Sequence, residues 1–409
     1  MKLTRRWISM MVIAFSGGII FVLPFLFEVY YRPMTDAFGL TNTELGRFMS
    51  TFGFVSMLAY FPGGWIADRV SPRLLMTVSL LATGAAGLYF STIPSYAASL
   101  VVHGFWGISI TLLFWGAMIR ATRNWAPPEE QGRAFGILEG IRGIGEMVPH
   151  FALLAIFAWL GSGDKALSVV IAQASAAIML FGVLCWFFVD DPVAESGEPT
   201  NAAKVGLKEV IAVLKMPVIW LIAIVILTGY CAYWGALYFS AYAADVFLTS
   251  VAVAGFISIG KMLLKPFAAV AAGFVADKIG VAKSTAILFI VLLLSFVGFA
   301  LLPGGASMFF LLIVNVLVAG TMIFALRAIY FALLEEGKVP LAVTGTAAGI
   351  VSAIGFTPDV FMPEIFGYLL DTYPGAEGYR YFYFVIAGIC AVGFIAAMTI
   401  QYKYVNKNT

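Results

Sequence analysis

Charged residues are scarce in this sequence. Only 11% of its 409 residues are Asp, Glu, Lys or Arg, whereas soluble domains carry about 25%. Hydrophobic residues make up 62% of the chain, in long runs, and the mean hydropathy is +0.97. A surface with so little charge faces hydrocarbon rather than water, so the composition excludes a soluble protein and predicts a membrane protein with many spans.

Groups that bind metals or form covalent intermediates are also sparse. The sequence has two histidines and three cysteines, and Cys185, Cys231 and Cys390 lie in apolar segments without metal-ligand spacing. It contains no nucleophile elbow, no phosphate-binding glycine loop and no basic run. We therefore expect no metal, no cofactor, no nucleic-acid partner and no enzymatic activity.

Twelve apolar segments are long enough to cross a bilayer. We place spans 1 to 12 at 7–31, 44–67, 73–92, 96–124, 132–159, 166–189, 215–243, 250–276, 283–302, 306–334, 341–370 and 379–402. One connection is long, and it predicts an N-terminal bundle at 1–190, a central loop at 191–214 and a C-terminal bundle at 215–409. The part of that loop from Lys204 to Leu214 is expected to form a short helix on the membrane surface.

Lysine and arginine set the expected orientation, because cytoplasmic loops are enriched in both. Most of them fall on the side that holds the N-terminus, and the opposite side holds about three, Arg32, Lys165 and Arg380. This distribution predicts a bacterial inner-membrane protein whose termini and central loop are all cytoplasmic.

The two halves of the sequence repeat each other. The segment Gly64–Arg69 at the end of span 2 matches Gly273–Lys278 at the end of span 8, 209 positions later. Arg120 in span 4 matches Arg327 in span 10 at a similar offset. Several matches in order indicate two homologous six-span halves, an arrangement typical of alternating-access carriers rather than of ring-lined channels.

At these positions the chain resembles the major facilitator superfamily of secondary transporters. GWIADRVSPR at 64–73 is similar to the signature loop of that family, and GFVADKIGVAK at 273–283 is similar to its second copy. The resemblance implies an all-α fold of two pseudo-symmetric six-helix bundles. It also implies that spans 1, 4, 7 and 10 line a central cavity, which opens to each side of the membrane in turn.

Residues of the two signature loops are predicted to form a latch that closes the cytoplasmic side. A carboxylate there is favoured beside a helix N-terminus or an arginine, and the glycines permit close helix approach. The latch residues are Gly64, Asp68, Arg69, Arg73, Gly273, Asp277 and Lys278. The alternative is a solvated turn with ordinary cytoplasmic charges.

Arg120 and Arg327 are predicted to bind substrate. Two guanidinium groups on cavity-lining spans suit an anionic oxygen cluster such as a carboxylate, phosphate or sulfonate. Tyr233 and Trp115 lie on cavity-lining spans and are expected to shape the same site. Alternatively, each arginine pairs within its own half or extends to the membrane surface.

Further ionisable residues lie inside predicted spans, where charges are costly and usually functional. In span 5, Glu139, Arg142 and Glu146 share one helix face, continued by His150, and form either an ion ladder or a coupling relay. In span 8, Lys261 and Lys265 either meet the span 5 acids across the two halves or join the anion site.

Two other acids are candidates for coupling or gating. Asp359 follows Pro358 in span 11, where proline kinks the helix, and it is either a proton site or a carboxylate satisfied by a neighbour. Glu28 lies one turn from Arg32 near the outer end of span 1, where the pair forms either a rim ion pair or a gate.

These residues favour a monomeric transporter of a small organic anion, coupled to protons or to a counter-anion. The basic residues on the cavity-lining spans motivate this hypothesis. The alternative is a proton-coupled permease for a neutral sugar or a multidrug exporter, in which the span 5 acids carry protons.

Overall fold

The computed structural model describes residues 2–67, 69–125, 131–190, 207–340 and 343–406. Every regular element within these ranges is helical. The all-α fold class predicted from the sequence is therefore confirmed, and the twelve predicted spans all coincide with helices.

Among the first six spans, span 1 is divided into two helices and span 4 contains an irregular stretch. Their bounds are Lys2–Ile19 with Phe27–Phe38 for span 1, Asn42–Ala67 for span 2, Pro72–Phe90 for span 3, Tyr96–Trp125 for span 4, Gln131–Trp159 for span 5 and Asp164–Phe188 for span 6. Span 4 is π-helical over Ile108–Trp115. Such irregular turns are frequent at functional positions of helices.

The second six spans follow a short helix at Leu207–Leu214, so part of the predicted helix is confirmed, and its place on the membrane surface stays a prediction. Their bounds are Pro217–Leu237 with Phe239–Phe247 for span 7, Val251–Ile279 for span 8, Val281–Leu301 for span 9, Ala306–Glu336 for span 10, Thr344–Gly355 with Pro358–Thr372 for span 11 and Ala376–Val405 for span 12. The break in span 11 falls at Pro358, as the sequence predicts.

Within the described residues, nine segments are long and apolar enough to cross a membrane, judged by length and composition. Spans 1, 2 and 11 complete the twelve. Spans 1 and 11 are each divided into two helices, and no single piece exceeds 18 residues. Because about 20 helical residues cross the hydrocarbon core, each of these spans needs both of its pieces.

The chain divides into two compact units. The first comprises Met1–Ser196 with Ser250–Ile259, and the second comprises Gly197–Thr249 with Gly260–Thr409. In the first unit, span 3 packs on spans 4 and 6, span 1 on spans 5 and 6, and span 2 on span 4; the second unit repeats these pairs six spans later. This shared packing confirms the internal repeat, whereas the domain boundaries inferred from the sequence stay a prediction.

Glycines set the closest helix packing in the first unit. A Cβ atom on Gly18 would lie 2.6 Å from the Glu146 backbone nitrogen, and one on Gly63 would lie 2.8 Å from the Thr111 carbonyl oxygen. The predicted close approach at Gly64 and Gly273 is wrong, because neither has a described atom within 4 Å of that position. Span 2 turns Gly63 rather than Gly64 toward span 4.

The breaks in spans 1 and 7 expose backbone carbonyl groups, and a cation from another span of the same unit binds each of them. Arg142 Nε donates to the Gly17 carbonyl at 3.2 Å, and Lys261 Nζ donates to the Ala236 carbonyl at 2.7 Å. A carbonyl freed inside a membrane needs a protein partner, since no lipid tail can supply one. The two cations therefore stabilise irregular backbone in spans 1 and 7, although they come from spans 5 and 8, which are not partners in the repeat.

Candidate functional site

Three spans of the second unit meet through close backbone packing. A Cβ atom on Gly229 of span 7 would lie 2.9 Å from Leu326 Cδ2 of span 10, and one on Gly355 of span 11 would lie 2.9 Å from Ile226 Cβ. The absence of side chains at these glycines lets spans 10 and 11 approach the same stretch of span 7. Aromatic residues next to Gly229 therefore meet charged residues from both neighbours.

Arg327 of span 10 lies among phenol rings. Its Cζ atom is 4.1 Å from the ring centroid of Tyr233 and 5.6 Å from that of Tyr230. The guanidinium group also forms hydrogen bonds with the Tyr233 and Tyr330 hydroxyls. Within the described part of the chain, no carboxylate forms a salt bridge with Arg327. The cation is thus stabilised by ring faces and neutral oxygens, which leaves its charge uncompensated by a direct ion pair.

Asp359 of span 11 faces the same aromatic group. It lies in the first turn of the helix Pro358–Thr372, where proline is pre-organised and a carboxylate is favoured by the helix dipole. Trp234 Nε1 donates to Asp359 Oδ1 at 2.9 Å, and the Tyr230 hydroxyl also binds this carboxylate. These neighbours match one of the two sequence interpretations, and the role as a proton site stays a prediction.

The two charges share one phenol as a neighbour. Tyr230 presents its ring to Arg327 and its hydroxyl to Asp359. Phe356 packs edge-on against that ring at 4.9 Å between centroids, and Tyr233 stacks on it at 5.6 Å. We refer to Tyr230, Tyr233, Trp234, Arg327, Tyr330 and Asp359 as the aromatic charge cluster. It combines a cation, a carboxylate and several hydroxyl groups within one unit.

The lysines of span 8 lie in the same unit. Lys261 is 3% exposed, and its ammonium group is 5.8 Å from the Phe239 ring centroid in addition to its bond with the Ala236 carbonyl. Lys265 is half-buried. The carbonyl contact is a structural role that the sequence interpretation did not include, and the substrate-binding role of both lysines stays a prediction.

Arg120 occupies a different environment from its repeat partner. Its Nη1 atom donates to the carbonyl oxygens of Ala67 at 2.5 Å and Val70 at 3.2 Å. These carbonyls belong to the end of span 2 and the loop that follows, where the helix lacks intrahelical donors. Arg120 thus fixes the first signature loop, and its hydrogen bonds do not require a substrate.

Replacing Arg120 with methionine is expected to lower the free energy of unfolding by about 1–3 kcal/mol, because two carbonyls lose a charged donor. The measurement is the thermal midpoint in detergent, with Arg123→Met as the control because Arg123 is exposed one turn away. An unchanged midpoint together with lost substrate binding would instead support the predicted contact with substrate.

Span 5 carries the predicted ion ladder only in part. Arg142 Nη1 pairs with Glu139 Oε1 at 2.5 Å, and its Cζ atom lies 5.2 Å from the Trp115 ring centroid. His150 is buried, and its Nδ1 atom donates to the Glu146 carbonyl at 2.7 Å. The ladder is therefore anchored at Glu139 and Arg142, while the relay through Glu146 stays a prediction.

Glu28 is buried rather than placed at an exposed rim. It is 2% exposed and accepts a hydrogen bond from Ser258 Oγ at 3.3 Å within the first unit. Arg32 Nη1 donates to Asn42 Oδ1 at 3.3 Å. The rim location is thus wrong for the carboxylate, and its gating role stays a prediction.

The described latch residues lie at the loop ends of their spans. Arg69 stacks on Trp65 at 4.1 Å and Arg73 faces Trp186 at 5.1 Å, both measured to the ring centroid. Asp277 and Lys278 are exposed. Asp68 lies outside the described residues, so the latch itself stays a prediction.

A carboxylate that the sequence analysis did not single out holds the second signature loop. Glu336 Oε1 accepts from the Val281 backbone nitrogen at 2.9 Å, and Oε2 accepts from that of Ala282 at 2.5 Å. The acid thereby satisfies free donors at the start of span 9. Its signal in the sequence is the acidic pair at the end of span 10, which recurs as Glu129-Glu130 in the first half.

Two sets of six spans that repeat the same packing, with ionisable groups inside the spans, are typical of secondary transporters. The family model of the Major Facilitator Superfamily matches residues 6–363. The chain belongs to the Major Facilitator Superfamily, and it is a transporter rather than an enzyme.

Two proteins of Escherichia coli K12 are similar to nearly the whole chain. Inner membrane protein YqcE is 32% identical over 406 residues, which cover 97% of this chain and 94% of that relative. Inner membrane protein YihN is 30% identical over 403 residues, which cover 97% and 95%. A solved structure of a bacterial homologue of the human lysosomal transporter Spinster has a TM-score of 0.80 at 14% identity and covers 97% and 98% of the two chains. That likeness shows the fold.

Shorter matches include transporters of anions. The probable sulfoacetate transporter SauU of Cupriavidus necator is 27% identical over 160 residues, which cover 38% of this chain and 35% of that relative. The D-galactonate transporter of Escherichia coli O6:H1 is 24% identical over 156 residues, which also cover 38% and 35%.

Proposed function

We propose that this protein transports a small organic anion across the bacterial inner membrane by alternating access. The observation that carries the proposal is Arg327, a cation inside a membrane span whose partners are phenol rings and hydroxyls. A charge in that position is costly unless a counter-charge accompanies it. A carboxylate, phosphate or sulfonate on the substrate supplies that counter-charge through the planar fork of the guanidinium group.

Two further observations support an anionic substrate. The relatives SauU and the D-galactonate transporter are named for anions. Lys261 adds a second buried cation to the same unit. Arg120 is engaged with the backbone of its own unit, so the proposal rests on Arg327 rather than on a pair of arginines.

Orientation and coupling complete the proposal. The distribution of lysine and arginine supports cytoplasmic termini. Transport is coupled either to protons, with Asp359 as the candidate acceptor, or to the exchange of a second anion. The aromatic rings beside a carboxylate also suit a neutral sugar, and that permease is the second candidate.

A ligand screen on the purified protein tests the substrate class. Thermal midpoints are measured with carboxylates, phosphates and sulfonates, each paired with its neutral amide or alcohol, and with neutral sugars. We expect upward shifts for anions only, because the neutral partner leaves Arg327 without a counter-charge. Shifts with neutral sugars alone would overturn the anion proposal in favour of the sugar permease. Uptake into proteoliposomes then separates the two coupling modes. Stimulation by a pH gradient indicates proton symport, and stimulation by an anion preloaded inside the vesicles indicates exchange.

A further inference from the structure

We infer that the substrate carries hydroxyl groups as well as its anionic group, so that the site selects hydroxy acids over simple acids. This inference rests on the proposed anion site and adds a role for Asp359. In this role the carboxylate is a specificity determinant that accepts hydrogen bonds from the cargo.

Asp359 has hydrogen-bonding capacity that its neighbours do not use up. An ionised carboxylate offers about four acceptor positions. Among the described residues, Trp234 and Tyr230 are its hydrogen-bond partners, and Trp234 binds Oδ1. Acceptor positions therefore remain on a residue that keeps partial solvent exposure. A ligand with O–H donors satisfies these positions, and a ligand without donors leaves them unsatisfied when it displaces water.

The two charges are both next to Tyr230. Arg327 lies over the ring of Tyr230, and Asp359 binds the hydroxyl of the same residue. The cation and the carboxylate therefore belong to one site rather than to two. A short-chain acid whose hydroxyls begin a few bonds from its charged group places the anion on Arg327 and an O–H group toward Asp359.

The aromatic rings of the cluster hold its polar groups in place. Tyr230 and Tyr233 stack on each other at 5.6 Å, Tyr230 is 8% exposed, and both hydroxyls are committed to Asp359 or Arg327. The aromatic charge cluster therefore offers a ligand a cation and a carboxylate acceptor around one buried tyrosine.

Matched acids test the inference on the full-length protein. Binding is measured for three- to six-carbon hydroxy acids and hydroxy sulfonates, each against its deoxy counterpart, such as gluconate against hexanoate. We expect the hydroxylated member of the best pair to bind at least about 100-fold more tightly, because a site built for a hydroxyl strongly rejects the analogue that lacks it. The variant Asp359→Asn keeps the hydrogen-bond geometry but loses acceptor capacity, and it should reduce this preference to about 10-fold or less.

The outcomes separate the inference from the proposed function. Equal binding of both members of every pair, lost in Arg327→Lys, overturns the hydroxyl selectivity and leaves anion transport intact. Binding that does not depend on Arg327 overturns both. An unchanged preference in Asp359→Asn also overturns the role of Asp359. Glu364→Gln is the control, since Glu364 is an exposed acid on the same helix outside the cluster, and it should leave the preference unchanged.

Discussion

Replacing Arg327 with lysine is expected to weaken anion binding by about 30-fold while the protein still folds. The charge remains, but the planar fork of donors and the stacking on Tyr233 are lost. Disrupting one member of a desolvated charge pair costs about 2 kcal/mol or more, which corresponds to about 30-fold in affinity. The measurement is the concentration dependence of uptake into proteoliposomes, together with the ligand-induced thermal shift.

The control for this prediction is Arg380→Lys in the same unit. Arg380 also lies near an aromatic ring, at 5.9 Å from the Phe384 centroid, but it is exposed. Its replacement should leave affinity unchanged, so a general effect of arginine loss is excluded. Wild-type affinity in Arg327→Lys would remove Arg327 from the binding site and with it the central argument for an anionic substrate.

Replacing Gly18 with alanine is expected to destabilise the first unit by about 3 kcal/mol. The added Cβ atom would lie 2.6 Å from both the Glu146 nitrogen and the Gly145 carbonyl carbon. These are backbone atoms, which cannot rotate away, so spans 1 and 5 must separate. Overpacking in a well-packed core costs about 1–3 kcal/mol, and a clash with backbone falls at the upper end. The measurement is the thermal midpoint in detergent.

The matched substitution is Gly143→Ala in span 5. No described atom lies within 4 Å of its Cβ position, and alanine is favoured over glycine inside a helix by about 0.5–1 kcal/mol. The midpoint should therefore rise slightly in this variant and fall in Gly18→Ala. Equal midpoints in the two variants would show that the contact between spans 1 and 5 is not tight.

The sequence alone predicted the helical class, the twelve spans and the repeat, because each depends on long-range composition. Hydrocarbon demands runs of apolar residues, and a duplication leaves matching residues such as Gly64 and Gly273 at one offset. The breaks were harder to locate. Pro358 indicated the break in span 11. Span 7 breaks at Tyr238, where the sequence has no proline or glycine.

Side-chain contacts were predicted less well, because the rotation of each helix about its axis decides them. Arg120 and Arg327 occupy matching positions, and nothing in the sequence indicates that one meets carbonyls and the other meets phenols. The bond of Lys261 to the Ala236 carbonyl depends on a helix break that the sequence did not reveal. The Trp234–Asp359 pair joins residues 125 positions apart, and pattern analysis of one sequence carries no signal at that range.

The unequal environments of Arg120 and Arg327 bear on how duplicated carriers diversify. Arg120 and Arg327 occupy matching positions, and among the described residues Arg120 alone of the two has hydrogen bonds to a signature loop. Because Arg327 lacks that structural contact, we expect that exchanging residues around it alters the preferred substrate without disrupting the loop after span 8. Laboratory evolution of new specificities should therefore concentrate its accepted changes in the second half of the chain.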